Sequence, residues 1–229
     1  MLRAVIFDCD GVLADSEPAH LRAFQRVLAQ EGVPLTREAY YARYLAMDDR
    51  GCFTAVLRDA GREPDPALVE ALVRRKAKAY LEGTAAGIDP IPGAADLARA
   101  LGARLPCAVA SGALRHEVQR ILEAMGLGGV FRTVVTAEDV SRGKPDPESY
   151  LTALTGINEV VGASVPIAPC ETLVIEDSRH GIAAARAAGM RCLAVTTSYD
   201  AGALGDADLV VDSFVDLAPE RLDALFGDH

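Results

Sequence analysis

Asp8 and Asp10 lie two residues apart in FDCDG, where the apolar run of residues 4–7 gives way to Gly11. That run is short, uninterrupted and β-prone, which suits a strand buried on both faces of a parallel sheet. Open α/β sheets bind ligands beyond the carboxyl ends of their strands, so the two carboxylates are expected at a ligand edge. One carboxylate can attack an electrophile, and the pair can help to hold a hard cation such as Mg²⁺, which favours oxygen ligands and phosphates. Three other apolar stretches lead to useful groups: Ser111 and Gly112 in VASG, Lys144 in the loop RGKPDP, and Glu176 and Asp177 in VIEDS. In a parallel sheet these ends face one rim, although they are far apart in sequence.

The chemistry these residue types allow together is phosphoryl transfer. Asp8, held rigidly at a strand end, attacks phosphorus and forms an acyl phosphate, which splits one hard displacement into two easier steps. Asp10 protonates the leaving oxygen and then deprotonates water. Two carboxylates beside a phosphate dianion repel it without a cation, and Asp177, with Glu176 and the Asp10 carbonyl, is the expected Mg²⁺ site. Ser111 and the Gly112 amide offer hydrogen bonds to phosphate oxygens, and Lys144 offers positive charge to the transferring group. Each position also has a plainer reading. Asp-x-Asp-Gly is ordinary turn chemistry, Ser111 can cap the helix that follows, Lys144 can be a solvated loop lysine, and Glu176–Asp177 can cap a helix at 178. The convergence of four strand ends outweighs these. Cys9, between the two aspartates, turns to the opposite face by strand alternation and is expected in the core.

The elements that must position these groups alternate. Strands are expected at 4–7, 105–111, 131–136, 172–177, 191–197 and 208–211, with helices running to Met125, from about Pro147 to Leu154, and over 179–188. This alternation implies an α/β fold, a doubly wound parallel sheet with helices on both faces. Residues 16–80 carry only helical periodicity. Ser16 can cap a helix that ends at Gly32, Thr36 starts a second, 48–60 looks like a third, and Asp65-Pro66 opens a fourth. The division expected is an α/β core of residues 1–15 and 86–229 with an inserted helical bundle of residues 16–85. GTAAGIDPIPG (83–93) reads as a linker, and residues 156–171 as a long connection of no evident role.

Composition narrows the partners. Asp and Glu outnumber Lys and Arg by 33 to 23, a formal net charge of −10, which disfavours a polyanion such as nucleic acid. The five cysteines are scattered, with no CxxC pair, so neither a zinc site nor a disulfide framework is indicated. No apolar run approaches a membrane span, and the first strand begins almost at Leu2, so a soluble, cytoplasmic protein is expected. The expected partner is a small phosphorylated metabolite, with no membrane and no obligate protein partner.

In order along the chain, FDCDG (7–11), VASG (109–112), GKPDP (143–147) and VIEDSRHG (174–181) resemble the four motifs of the haloacid dehalogenase superfamily of phosphatases, in the subgroup of β-phosphoglucomutase and phosphoglycolate phosphatase. The resemblance implies a Rossmann-like core and Mg²⁺-dependent phosphatase chemistry through an aspartyl phosphate. It implies Asp8 as nucleophile, Asp10 as acid/base, Ser111 and Lys144 on phosphate, and Asp8, the Asp10 carbonyl, Glu176 and Asp177 on Mg²⁺. It also implies that the helical insertion is a mobile cap, hinged near Asp15–Ser16 and within 83–90, that closes over substrate. In β-phosphoglucomutase a histidine at the spacing of His20 helps to position the acid/base aspartate; a helix-surface histidine is otherwise simply solvated. Arg50 and Lys76 are read as cap contacts to a second phosphate or to sugar hydroxyls, or else as solvated charges. A phosphomutase using the same residues is the runner-up. A dehalogenase would leave Asp10 without a task, and an inactive binding protein would be expected to lack one of the groups that are all present here.

Overall fold

The computed structural model describes residues 1–227 except 46, 86 and 163; residue 86, where the sequence reading begins the second core segment, lies outside the described residues. The chain forms two compact units, Ser16–Ile88 and Met1–Asp15 with Asp89–His229.

The first of these is helical: α1 (Glu17–Gln30), the short α2 (Arg37–Ala39) running into a π-helical turn (Tyr40–Tyr44), α3 (Asp49–Asp59) and α4 (Pro66–Gly83). Side chains cap three of them. Thr36 accepts from the Ala39 amide at 3.1 Å, Asp48 from Gly51 at 2.7 Å and Asp65 from Ala67 at 3.0 Å, which satisfies amides that a helix start leaves without intrahelical partners. Ser16 differs from expectation: its backbone is already helical and its side chain makes no capping bond. The apolar faces meet in one core, with Phe24 and Phe53 in edge contact at 5.0 Å among Leu21, Leu28, Leu57 and Leu72.

The second unit is built on a six-stranded sheet: β1 (Ala4–Phe7), β2 (Cys107–Ala110), β3 (Phe131–Val135), β4 (Thr172–Glu176), β5 (Arg191–Val195) and β6 (Leu209–Val211). Their order is β3-β2-β1-β4-β5-β6 and every pairing is parallel. Strand order reverses beside β1, the place where such sheets open a crevice for ligands. Helices α5 (Ala94–Gly102), α6 (Arg115–Ala124), α7 (Glu148–Val161), α8 (Arg179–Ala187) and the short α9 (Glu220–Asp223) complete the unit. Ala4, Ile6, Ala108, Ala110 and Val174 of the sheet pack with Tyr150, Leu154 and Ile157 of α7 and Ile182 of α8. The alternate residues Val5, Phe7, Cys107, Val109, Leu173 and Ile175 are buried too, as a sheet covered on both faces requires.

Three elements depart from the sequence reading. Helix α5 occupies a stretch given no element there. Helix α7 continues to Val161 and so takes up the first six residues of the 156–171 connection, of which residue 163 is not described. Gly156 lies within the helix, where a Cβ would crowd the Thr133 side chain, 2.8 Å from its hydroxyl; the glycine lets the helix approach β3 closely. Finally, α6 starts at Arg115, so Ser111 does not cap it.

Candidate active site

β1 delivers Asp8. Phe7 stands opposite Val109 of β2 and Ile175 of β4, and the Asp8 amide donates to the Ile175 carbonyl at 2.9 Å. The residues one step beyond these strands therefore share the carboxyl rim of the sheet. The chain then turns sharply: Gly11, at φ +74°, donates to the Ala14 carbonyl at 2.8 Å, and the Leu13 amide donates to the Cys9 carbonyl at 2.8 Å. Gly11 is required twice over, since a side chain disfavours that φ and a Cβ would overlap the Asp177 carboxylate.

Lys144 bridges two acidic side chains of the sheet rim. Its ammonium donates to Asp8 Oδ1 at 2.6 Å and to Glu176 Oε1 at 2.7 Å. The loop that carries it is tied to the start of α7, where Glu148 accepts from the Ser141 and Arg142 amides at 2.8 and 3.0 Å. Glu176 is wholly buried and saturated. Oε1 also accepts from the Tyr150 hydroxyl at 2.6 Å, and Oε2 accepts from the Asp177 and Ser178 amides and the Ser178 hydroxyl, each at 2.9 Å. Ser178, not Glu176 or Asp177, caps α8, accepting from Gly181 at 3.0 Å. Asp177 accepts from the Ser198 hydroxyl.

Asp8, Glu176 and Asp177 each offer an oxygen within 4.8 Å of the others. Burial pushes the Asp8 carboxyl up to about 7, against the pull of Lys144. Burial and then the Glu176 and Asp8 charges push Asp177 well above the carboxylate range. Burial also works to raise Glu176, but Lys144 and its hydrogen bonds hold it below its ordinary value. Burial disfavours the Lys144 ammonium, yet the Asp8 and Glu176 charges outweigh it and hold Lys144 above the usual lysine range. Ionising all three buried carboxylates against one ammonium would leave negative charge uncompensated, which is why Asp8 and Asp177 hold their protons so tightly. A hard divalent cation with oxygen ligands fits that donor set and that charge.

Ser111 lies beside the aspartates, its hydroxyl 3.4 Å from Asp10 Oδ2, and it accepts from the Ala113 amide at 2.9 Å. Gly112 is exposed, with open space where a Cβ would stand. Cys9 is buried, and burial raises its thiol well above the usual range, which suits a core residue. Sequence reasoning missed Tyr150 and Ser198. Ser198 was findable, since the apolar run of β5 gives way after Val195 to Thr196, Thr197 and Ser198, just as the other strands lead to their polar groups. Tyr150 gave no such signal: it reads as one more apolar position of α7.

The remaining candidates belong to the helical unit, where His20, Lys76 and Asp49 form a cluster. Lys76 is 3 % exposed, and its ammonium lies 2.7 Å from both Asp49 Oδ1 and His20 Nδ1. An ammonium can only donate, so His20 accepts at Nδ1. Burial and then the Lys76 charge hold His20 well below its ordinary pKa, as a neutral ring stacked on Tyr80 at 4.2 Å. Lys76 is therefore no solvated charge. Arg50 is exposed and pairs with Glu70, Nε to Oε1 at 2.6 Å.

Comparison with known proteins bears on these motifs. Residues 2–189 match the family model described as haloacid dehalogenase-like hydrolase. Validoxylamine A 7'-phosphate phosphatase of Streptomyces hygroscopicus subsp. limoneus is 31 % identical over 95 % of this chain and 96 % of its own. Fructose-1-phosphate phosphatase YqaB of Escherichia coli (strain K12) is 31 % identical over 81 % of this chain and 92 % of its own. The crystal structure of CbbY from Rhodobacter sphaeroides in complex with phosphate superposes with a TM-score of 0.79 at 29 % identity, covering 95 % of this chain and 97 % of that one. Among the described residues no helix is long and apolar enough to cross a membrane.

Proposed function

Because the chain belongs to the haloacid dehalogenase-like hydrolase family, we propose that it is a Mg²⁺-dependent phosphatase that hydrolyses a small phosphorylated metabolite through an aspartyl phosphate on Asp8. The observation that carries this reading is Lys144, lodged between Asp8 and Glu176 with Asp177 beside them. Asp8, Asp177 and the Asp10 carbonyl, with Glu176 behind them, are the groups we assign to Mg²⁺, which supplies positive charge for phosphate oxygens.

The chain's own residues do the rest. The Asp8 carboxylate attacks phosphorus, the P–O bond to the alcohol breaks, and Asp10 gives that oxygen its proton. Asp10 then takes a proton from water, which attacks the acyl phosphate and releases inorganic phosphate. Lys144 neutralises charge on the transferring group, and Ser111 and the Gly112 amide orient it. His20, Arg50 and Lys76 are the residues we assign to substrate choice. The acidic composition supports a small ester over nucleic acid, and we place the enzyme in the cytoplasm. The phosphatase relatives favour hydrolysis over phosphoryl transfer between sugar hydroxyls.

A panel of sugar and glycolate phosphates assayed with and without Mg²⁺ tests this. Steady phosphate release that needs Mg²⁺ and vanishes in Asp8→Asn is the expected result. Hexose 1- and 6-phosphate interconversion with little free phosphate would replace it by a mutase, and failure to turn over any ester would reject an enzyme.

A further inference from the structure

We infer that Tyr150 is a positioning residue that holds the Lys144 ammonium against Asp8. The ring of Tyr150 is fully buried and touches two members of the site in two different ways. Its hydroxyl donates to Glu176 Oε1 at 2.6 Å, the same oxygen that accepts from Lys144 at 2.7 Å. Its ring centroid lies 4.9 Å from Lys144 Nζ, within range of a cation–π contact.

The two contacts have one consequence. Lys144 is shared between two carboxylates at nearly equal distances, 2.6 Å to Asp8 and 2.7 Å to Glu176. Glu176 Oε2 is taken up by donors from the turn before α8, so Oε1 is where its remaining negative charge meets Lys144. The Tyr150 hydroxyl neutralises part of that charge and so weakens the pull of Glu176 on the lysine. Without it, Oε1 has Lys144 as its only donor among the described residues and draws the ammonium away from Asp8. The ring meanwhile provides a wall that the ammonium rests on. The lysine loop leads directly into α7, so Tyr150 follows Lys144 by six positions, and ring and ammonium are set by one continuous segment.

The chain has only three lysines, 76, 78 and 144, so the ammonium of Lys144 can be followed directly by ¹⁵N NMR of lysine-labelled protein, assigned by its loss in Lys144→Arg. Tyr150→Phe removes the hydroxyl and keeps the ring. The expected result is a shifted Lys144 signal whose hydrogens exchange several-fold faster, with kcat lowered about tenfold and KM changed less than about twofold. Tyr150→Leu should also abolish the ring-current shift. A Tyr150→Phe protein that folds, judged by circular dichroism, and leaves the Lys144 signal where it was overturns the inference, as does an unchanged kcat alongside a mere fall in melting temperature. The kinetic half rests on the phosphatase reading. The NMR half does not, so an inactive wild type would reject that reading while the Lys144 signal still decides this one.

Discussion

Replacing Gly181 with alanine sets helix propensity against packing, and the two have opposite signs. Gly181 is the third residue of α8, and at an open helical position glycine to alanine stabilises by about 0.5–1 kcal/mol. Here the added methyl would overlap the Glu176 carboxylate. That carboxylate is anchored by Lys144 and Tyr150 at 2.7 and 2.6 Å and by three donors from residues 177–178 at 2.9 Å. Moving it aside breaks at least two of these bonds. Hydrogen bonds to charged groups contribute about 1.5–3 kcal/mol each, so after the propensity gain the variant should lose about 2–5 kcal/mol. For a chain of this size that is a fall in melting temperature of roughly 4–20 °C. Urea titration and thermal melting read it, with Gly83→Ala as the control. Gly83 ends α4 with nothing within 4 Å of a Cβ, and its replacement should change stability by between 0 and about +1 kcal/mol. A Gly181→Ala protein as stable as wild type would refute the claim that Glu176 is fixed against the start of α8.

Two more perturbations probe the buried charges. Asp8 titrates near 7 when folded, against 3.8 as an ordinary carboxyl, so the folded state binds this proton more tightly. Its contribution to stability is complete below pH 3.8 and is lost as pH rises through about 7, up to about 4 kcal/mol in all. In EDTA the melting temperature of wild type relative to Asp8→Asn should therefore fall between pH 4 and 7, and Mg²⁺ should reverse the fall at neutral pH; a flat difference would contradict the burial argument. Ser198→Ala removes the hydroxyl that Asp177 accepts from and should weaken Mg²⁺ binding about tenfold by calorimetry, an unchanged affinity counting against Asp177 as a ligand.

Much of the sheet unit can be read from its amino acids because parallel strands buried on both faces leave short apolar runs, and their polar ends stand out. Asp8, Ser111, Lys144, Glu176 and Asp177 each follow such a run or the loop after it, and the register of β1 against β2 and β4 is what turns those scattered ends into neighbours. What stayed hidden depends on three-dimensional approach. Residues 156–161 look like the start of a connection until α7 is seen to run on through Gly156 against Thr133. Tyr150 looks like core until its hydroxyl is seen to reach Glu176. Lys76 sits in the run RRKAK, which reads as a contact to substrate or else as a solvated charge, and only the fold of the helical unit places it on Asp49 and His20.

Hydrolysis through Asp8 requires a covalent phosphoryl group on that residue during turnover. Borohydride quenching of the enzyme during turnover of a phosphate ester with Mg²⁺, followed by peptide mass spectrometry, reads it at the residue. Reduction of an acyl phosphate should convert Asp8 to homoserine, only with ester and metal present. Continued phosphate release with an unmodified Asp8 peptide, or with the change at another residue, would contradict the account.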